Sequence, residues 1–282
     1  MSAAFGTRLI SDPLEISDEE LAEVSTILNI RRGFSIAMYK DACMKRRITI
    51  RMRSTGCRDV ASYCALLRQN DHELDLLQKA VTIHVSQFFR NPSVFEKLRS
   101  EVLPDFFAGC PDGRDVRFWC LGCAGGEEPF SLAMLLLEHY AAELGRLQIS
   151  IRGTDIDRDT LDAARRGDYA EDRLKDLPEQ YRRRYFEHQN GRSRVIPAVR
   201  DMVTFQQGDI THDDCYLESS LVFCRNTLIY FSRPDQEKIL GGIAAVLQPG
   251  GILVLGKSET LVGETRRQFS AICTIERIYR RL

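Results

Sequence analysis

The chain has 282 residues, 44% apolar and 28% charged, with a formal net charge of −1, which is ordinary for a soluble globular protein of one large or two ordinary domains. With so little net charge, attraction to nucleic acid or anionic lipid has to come from a local basic surface. No apolar run reaches the ~20 residues of a membrane span. The first residues lack the charged-then-apolar order of a signal peptide. The nine scattered cysteines read as reduced thiols rather than a disulfide framework, so a cytoplasmic protein is expected.

Residues 1–13 read as a loose leader. Ser17 and Glu20 fit a capping box opening a helix through about Asn29, which Arg31-Arg32-Gly33 breaks. Further helices are predicted over about Ala37 to Thr55, Arg58 to Gln69 and Glu73 to Val81. Residues 1–80 therefore read as an all-helical domain with short connections. The helix from Ala37 carries Lys40, Lys45, Arg46, Arg47, Arg51 and Arg53, with Arg47 and Arg51 four apart on one face. Such a run is either a solvated face or a docking surface for an acidic partner, with RNA as the rival partner.

The second domain, residues 81–282, shows its pattern from Val116 onward. Val116 to Leu121 suits a buried strand, and Gly122, Gly125 and Gly126 allow a sharp turn that a ligand can approach closely. Glu127 and Glu128 end the turn, Pro129 stands near a helix start, and Phe130 to Leu137 continues as an apolar helix. The order is not the dinucleotide fingerprint G-x-G-x-x-G. Carboxylates beside the glycines disfavour a pyrophosphate and suit a cationic or amine-bearing ligand such as S-adenosylmethionine, the alternative being a solvated turn.

Ile149 to Ile151 reads as the next strand, ending at Thr154-Asp155-Ile156-Asp157 before a helix over Asp157 to Arg165. The simplest division gives Asp155 to ribose hydroxyls and Asp157 to the helix N-terminus; the plainer reading has both acids capping the helix. Between Tyr169 and Met202, Asn190-Gly191 signals a hairpin joining Tyr185-Phe186 to Val195-Ile196, so a helical linker and a small antiparallel insertion at about 183–202 are expected. Strands at Val203 to Phe205, Leu221 to Cys224 and Ile252 to Leu255, a helix over Pro234 to Leu247, and a tail from Phe269 to Tyr279 complete an alternating pattern. That pattern is α/β, a doubly wound and mostly parallel sheet. Cys224-Arg225-Asn226, with Ile229-Tyr230-Phe231 close behind, puts polar groups and an aromatic at a strand end. Cys120 and Cys123 lack a second ligand pair and read as packing cysteines, so no metal is expected.

Taken together, six segments resemble the CheR-type chemotaxis receptor methyltransferases. They are TIHVSQFFRNPSVF from Thr82, GCAGGEEPFSLAM from Gly122, TDID from Thr154, GDYAEDRL from Gly167, FCRNTLIYF from Phe223 and PGGILVLGKSETL from Pro249. The resemblance implies a Rossmann-like class I methyltransferase sheet behind the helical domain. It also implies transfer of a methyl group from S-adenosylmethionine to chemoreceptor glutamates, giving glutamyl methyl esters and S-adenosylhomocysteine. By position, Glu128 would lie near the methionine portion of the cofactor, Asp155 at its ribose, and Asp209, Ile210, Arg225 and Asn226 beside it. His84, Ser86 and Gly122 join this cofactor set. Arg90 matches the family's active-site arginine, which also contacts the cofactor, and Tyr230 the aromatic near the transferred methyl group. Arg46, Arg47, Arg51 and Arg53 would dock the receptor's acidic cytoplasmic helices. Neither nucleic acid nor membrane insertion is then expected.

The chain departs from the family pattern in having His84 for Asn, Ser86 for Thr, Asp209 for Asn, Lys257 for His and Ser219-Ser220 for Phe-Asp. The insertion is also short, so no tethering to a receptor tail peptide is expected. Two other readings stay open: a cofactor-binding signalling module with little catalysis, and a methyltransferase for another protein or for RNA.

Overall fold

The computed structural model describes residues 15–82 and 86–282; the leader at 1–13 and His84 lie outside the described residues. The chain divides into two compact units, Met1–Val81 and Thr82–Leu282.

The first unit contains α1 (Asp18–Arg32), α2 (Asp41–Thr55), α3 (Val60–Gln69) and α4 (Asp71–Val81). Ser17 and Glu20 form the expected capping box: Ser17 N–H donates to Glu20 Oε2 at 2.8 Å, and Glu20 N–H donates to Ser17 Oγ at 3.2 Å. α1 runs past Asn29 because both arginines find partners on α4. Arg31 and Arg32 each reach Asp71 at 2.9 Å, and Arg32 also reaches Asp75 at 2.8 Å. α2 starts at Asp41 rather than near Ala37, since the chain first turns, with Tyr39 N–H donating to the Ile36 carbonyl. Val24, Leu28, Met44, Ile48, Met52, Leu67, Leu74 and Leu77 are buried, and their three- and four-residue spacing supplies the apolar stripes that close this core.

That core also holds a charge. Glu73, with a side chain only 5% exposed, pairs with Arg51 at 2.5 Å and accepts the Tyr63 hydroxyl at 2.8 Å. Arg47 Nη1 donates to the Ala80 carbonyl at 2.5 Å. Of the four arginines read as a docking face, Arg47 and Arg51 are thus half-buried and tied to α4, whereas Arg46 and Arg53 are exposed.

The second unit begins with α5 (Pro92–Lys97), a π-helical turn (Leu98–Val102) and α6 (Leu103–Ala108). Next come β1 (Asp115–Leu121), α7 (Glu127–His139), α8 (Ala141–Arg146), β2 (Gln148–Asp155) and α9 (Arg158–Arg166). An insertion follows, with β3 (Asp168–Ala170), α10 (Glu179–Tyr185), β4 (Phe186–Gln189) and β5 (Arg192–Val195). After it stand α11 (Pro197–Arg200), β6 (Val203–Gln207), β7 (Ser219–Cys224), α12 (Arg233–Val246), β8 (Leu247–Leu255), β9 (Phe269–Cys273) and β10 (Ile278–Arg281).

The main sheet has seven strands in the order β6-β2-β1-β7-β8-β10-β9. The pairs from β6 through β8 are parallel, and β10 is antiparallel to both neighbours. Strand order therefore reverses between β1 and β7. With right-handed crossovers, that reversal puts α7 and α9, which follow β1 and β2, on one face and α12, which follows β7, on the other, and opens a crevice beyond the carboxyl ends of β1 and β7. Phe118 to Leu121 and Ile252 to Leu255 are buried without alternation, as a sheet covered on both faces requires. Trp119 Nε1 donates to Thr154 Oγ1 at 2.8 Å, fixing β1 to β2 one residue before Asp155.

In the insertion, Asn190 and Gly191 adopt φ of 52° and 70° between β4 and β5, the primed turn their sequence favours. β5 also pairs with β3, which gives a three-stranded sheet where the sequence suggested a hairpin alone. Three residues are too few for an alternation to show in sequence.

The Arg51–Glu73 pair yields a stability test. Arg51→Ala leaves Glu73 buried beside Tyr63 without its counter-charge and is expected to lower unfolding stability by about 3 kcal/mol. Urea titration followed by circular dichroism reads this, and an exposed Arg46→Ala control is expected to stay within about 0.5 kcal/mol of the parent.

Candidate active site

The turn after β1 is shaped by the strand beside it. Cys123 N–H donates to the Thr154 carbonyl at 3.0 Å and Ala124 N–H to Asp155 Oδ2 at 2.9 Å. The other Asp155 oxygen accepts from Asp157 N–H at 3.1 Å, while Asp157 caps α9 through the Thr160 N–H at 2.8 Å. Asp155 thus orders the glycine turn from the end of β2. Gly122 has φ 65°, and a Cβ there would lie 2.5 Å from Thr227 Oγ1, so only glycine lets the turn pass this close to the chain after β7.

Both acids at the start of α7 are paired. Glu127 is fully buried and meets Arg173 of the insertion. Glu128, 13% exposed, meets Arg225 at 2.8 Å. Burial raises the Glu128 carboxyl above its ordinary range, an effect that the Arg225 and Arg90 charges oppose. The sequence reading had both acids facing a cationic ligand; in the fold each already has a cationic partner within the protein.

Arg225 is the centre of the crevice. Its Nη1 serves Glu128, and its Nη2 donates to the Arg90 carbonyl at 2.8 Å and to Asn91 Oδ1 at 2.9 Å. The guanidinium also lies 5.7 Å from the centroid of the Phe95 ring. These contacts hold the 86–91 segment, where Phe89 and Asn91 adopt φ of 50° and 60°. Phe89 N–H donates to Ser131 Oγ at 2.8 Å, which docks the segment on α7. Arg90 is half-buried here, and the Ser86 carbonyl accepts from Arg173 at 3.1 Å.

Asn226 follows in the left-handed region, with φ 57°. Its N–H donates to Glu259 Oε2 at 2.9 Å, and its buried Oδ1 has no hydrogen-bond partner among the described residues. Glu259 also accepts from Gly256 N–H at 2.6 Å and Ile229 N–H at 3.3 Å, so one buried carboxylate fixes Asn226 and the turn carrying Tyr230. Burial raises its carboxyl, against the lowering effect of those backbone donors. Glu259 and Arg173 were missed as site-forming residues. Each lies in a quoted motif, but nothing local marks what either side chain would meet.

Beyond β6, Gly208 N–H donates to the Asp155 carbonyl at 3.0 Å, bringing Asp209 and Ile210 beside Asp155. Asp209 Oδ1 accepts Thr211 N–H at 2.9 Å and its hydroxyl at 2.7 Å, and the Ile210 carbonyl accepts the Tyr216 hydroxyl at 2.6 Å. Cys120 and Cys123 are buried in the sheet and turn, and burial pushes both thiols well up. Asp155, Glu128, Asp209 and the orphaned Asn226 Oδ1 make an acceptor-rich set, suited to a ligand carrying hydroxyl and amino groups. A buried amide oxygen left unbonded is costly, which favours a ligand donor at that point.

Residues 84–277 match the family described as CheR methyltransferase, SAM binding domain, and residues 19–82 match CheR methyltransferase, all-alpha domain. The chemotaxis protein methyltransferase 2 of Pseudomonas aeruginosa is 31% identical over 252 residues, covering 86% of this chain and 87% of that protein. The chemotaxis protein methyltransferase 1 of Vibrio cholerae is 30% identical over 274 residues, covering 95% and 98%. A 104.1 kDa uncharacterized protein of Rhodobacter capsulatus is 33% identical over 264 residues, and there the match covers 94% of this chain but 28% of the relative. Among solved structures, the Synechocystis magnesium protoporphyrin IX methyltransferase with bound SAH aligns at TM-score 0.33 and 14% identity, over 58% of this chain and 54% of that one. S-adenosylmethionine is the cofactor.

Glu259→Gln is expected to weaken S-adenosylmethionine binding about tenfold, because an amide presents one acceptor and one donor to a ring of backbone N–H groups. Calorimetric titration of the variant against the parent checks it; an unchanged Kd would remove Glu259 from the site's support.

Proposed function

Since the chain belongs to the CheR methyltransferase family, we propose that it methylates glutamate side chains of chemoreceptors from S-adenosylmethionine, giving glutamyl methyl esters and S-adenosylhomocysteine. The observation that carries this reading is Arg90, half-buried on a segment that Arg225 pins beside Glu128 at the crevice. When bound, S-adenosylmethionine supplies an electrophilic methyl group on a sulfonium. A glutamate carboxylate is already ionised near neutral pH, with a reference pKa of about 4.3, so no general base is needed. Transfer to a carboxylate oxygen would form the oxygen–carbon bond as the carbon–sulfur bond broke, with that electron pair leaving on sulfur.

The protein's task is alignment at roughly 3 Å and exclusion of water. Arg90 holds the acceptor carboxylate by a charge-assisted pair and so positions it rather than activating it. Tyr230 supplies the aromatic wall near the methyl group, on the turn that Glu259 fixes through Ile229. Asp155 would take the ribose, with Asp209, Ile210, Gly122, Glu128, Arg225, Asn226 and Ser86 holding the rest of the cofactor. The receptor is met by the outer stripe of α2, where Arg46, Ile50 and Arg53 are exposed at helical spacing. No helix among the described residues is long and apolar enough to cross a membrane.

Incubation with methyl-labelled cofactor and receptor membranes is expected to give alkali-labile label on receptor glutamates, lost at least ~100-fold in Arg90→Ala, the usual scale for a removed positioning group. Label resistant to alkali, or carried by RNA, would overturn the ester assignment. For docking, Arg46→Glu with Arg53→Glu is expected to raise the receptor KM about tenfold while the cofactor Kd stays unchanged. Arg47 and Arg51 are unsuited to that test because their reversal would disturb α4. A parallel loss of cofactor binding in the Arg46/Arg53 double variant would sink the docking assignment.

A further inference from the structure

The insertion grips the glycine turn at two points. From β3, the Tyr169 hydroxyl donates to the Gly125 carbonyl at 2.6 Å. Four residues later, Arg173 pairs with Glu127 and donates through Nη2 to the Ser86 carbonyl at 3.1 Å. One guanidinium from the insertion therefore touches both walls of the crevice, the start of α7 and the 86–91 segment. Glu127 is fully buried and its Oε2 has no hydrogen-bond partner among the described residues, so Arg173 is its principal counter-charge. The carboxylate also lies close over the turn: a Cβ on Gly125 would fall 2.9 Å from that same Oε2, and glycine avoids that approach.

The Arg173 segment is in turn fixed to the insertion sheet. Glu171 pairs with Arg182 of α10 and accepts from Ser193 Oγ of β5 at 2.5 Å, and His188 Nδ1 of β4 lies 2.6 Å from that Ser193 Oγ. Phe88 packs edge-on against Tyr169 and Phe186, at centroid distances of 4.9 and 5.3 Å, so the 86–91 segment leans on the same sheet.

We propose that the insertion is a clamp on the cofactor turn, with Arg173 and Tyr169 as positioning residues for S-adenosylmethionine binding. The proposal rests on the placement of the cofactor at the turn after β1. Coupling of this kind is reciprocal: whatever orders the β3-β5-β4 sheet tightens cofactor binding, and the bound cofactor steadies the sheet.

Calorimetry on the full chain with S-adenosylmethionine tests it. Arg173→Met is expected to raise Kd about tenfold and Tyr169→Phe about threefold, with Arg173→Lys recovering part of the loss because its ammonium still offsets Glu127. In receptor methylation both variants are expected to raise the cofactor KM and to keep kcat at saturating cofactor, a split that loss of folded protein does not produce. Asp155→Ala serves as the comparison. If Asp155→Ala binds like the parent, the cofactor placement fails and the clamp fails with it. If Asp155→Ala loses binding while Arg173→Met and Tyr169→Phe keep the parent Kd, the clamp alone is overturned. Should Arg173→Met not fold, Tyr169→Phe decides.

Discussion

At the carboxyl end of β7 the Arg225 guanidinium, 1% exposed, joins α7 through Glu128 and the 86–91 segment through the Arg90 carbonyl and Asn91. A charge taken this far from water is tolerable only with a partner and with most of its donors bonded, and losing one member of such a pair costs about 3–5 kcal/mol. Arginine suits the position because its planar fork bonds three acceptors at once, where a lysine would present a single point charge. The segment carrying Arg90 has two residues at positive φ, and strained backbone persists only where surrounding contacts over-determine it. Arg225, Ser131 and, through Phe88, Tyr169 and Phe186 are those contacts. The crevice wall thus exists as a consequence of burying one cation.

Glu259 plays the complementary part on the far side of Arg225. It is an anion held almost wholly by backbone N–H groups from two loops, those after β7 and after β8. Such an arrangement satisfies donors that a sharp turn leaves unpaired and needs no partner side chain. Arg225 and Asn226 are adjacent, yet one anchors to side chains of α7 and the 86–91 segment and the other to Glu259. Their divergence at a left-handed residue leaves the Asn226 amide oxygen buried with no hydrogen-bond partner among the described residues.

Much of the fold was legible because its signals are local and repeated. The capping box at Ser17, the apolar runs of β1, β7 and β8, and the Asn190-Gly191 turn each depend on a few neighbouring residues. What sequence hid are the partners brought from far along the chain. Arg31 and Arg32 looked like a break and instead continue α1, because Asp71 and Asp75 lie opposite them. Arg47 and Arg51 looked like a surface stripe, but the Ala80 carbonyl and Glu73 claim them. β3 is a strand only because β5 pairs with it, and Arg173 matters only because Glu127 is buried 46 residues away in sequence. Pattern reports which side chains are polar; the fold decides which of them meet.

The same distinction alters the account of why the turn after β1 is not a phosphate site. Simple repulsion by Glu127 and Glu128 is too coarse, since Arg173 and Arg225 offset both charges inside the protein. A phosphate cradle works by offering the free N–H groups and positive end of a helix to the ligand. Here the first turn of α7 carries the two carboxylates itself, so the favourable helix-end potential is already spent on protein acids. Three of the turn N–H groups are claimed too, Cys123 by the Thr154 carbonyl, Ala124 by Asp155 and Gly126 by the Cys123 carbonyl. What the crevice still offers is acceptors and a glycine surface free of side chains. That pairing suits a ligand with hydroxyl, amino and sulfonium groups better than a diphosphate, which needs a cradle of free helix-end N–H groups.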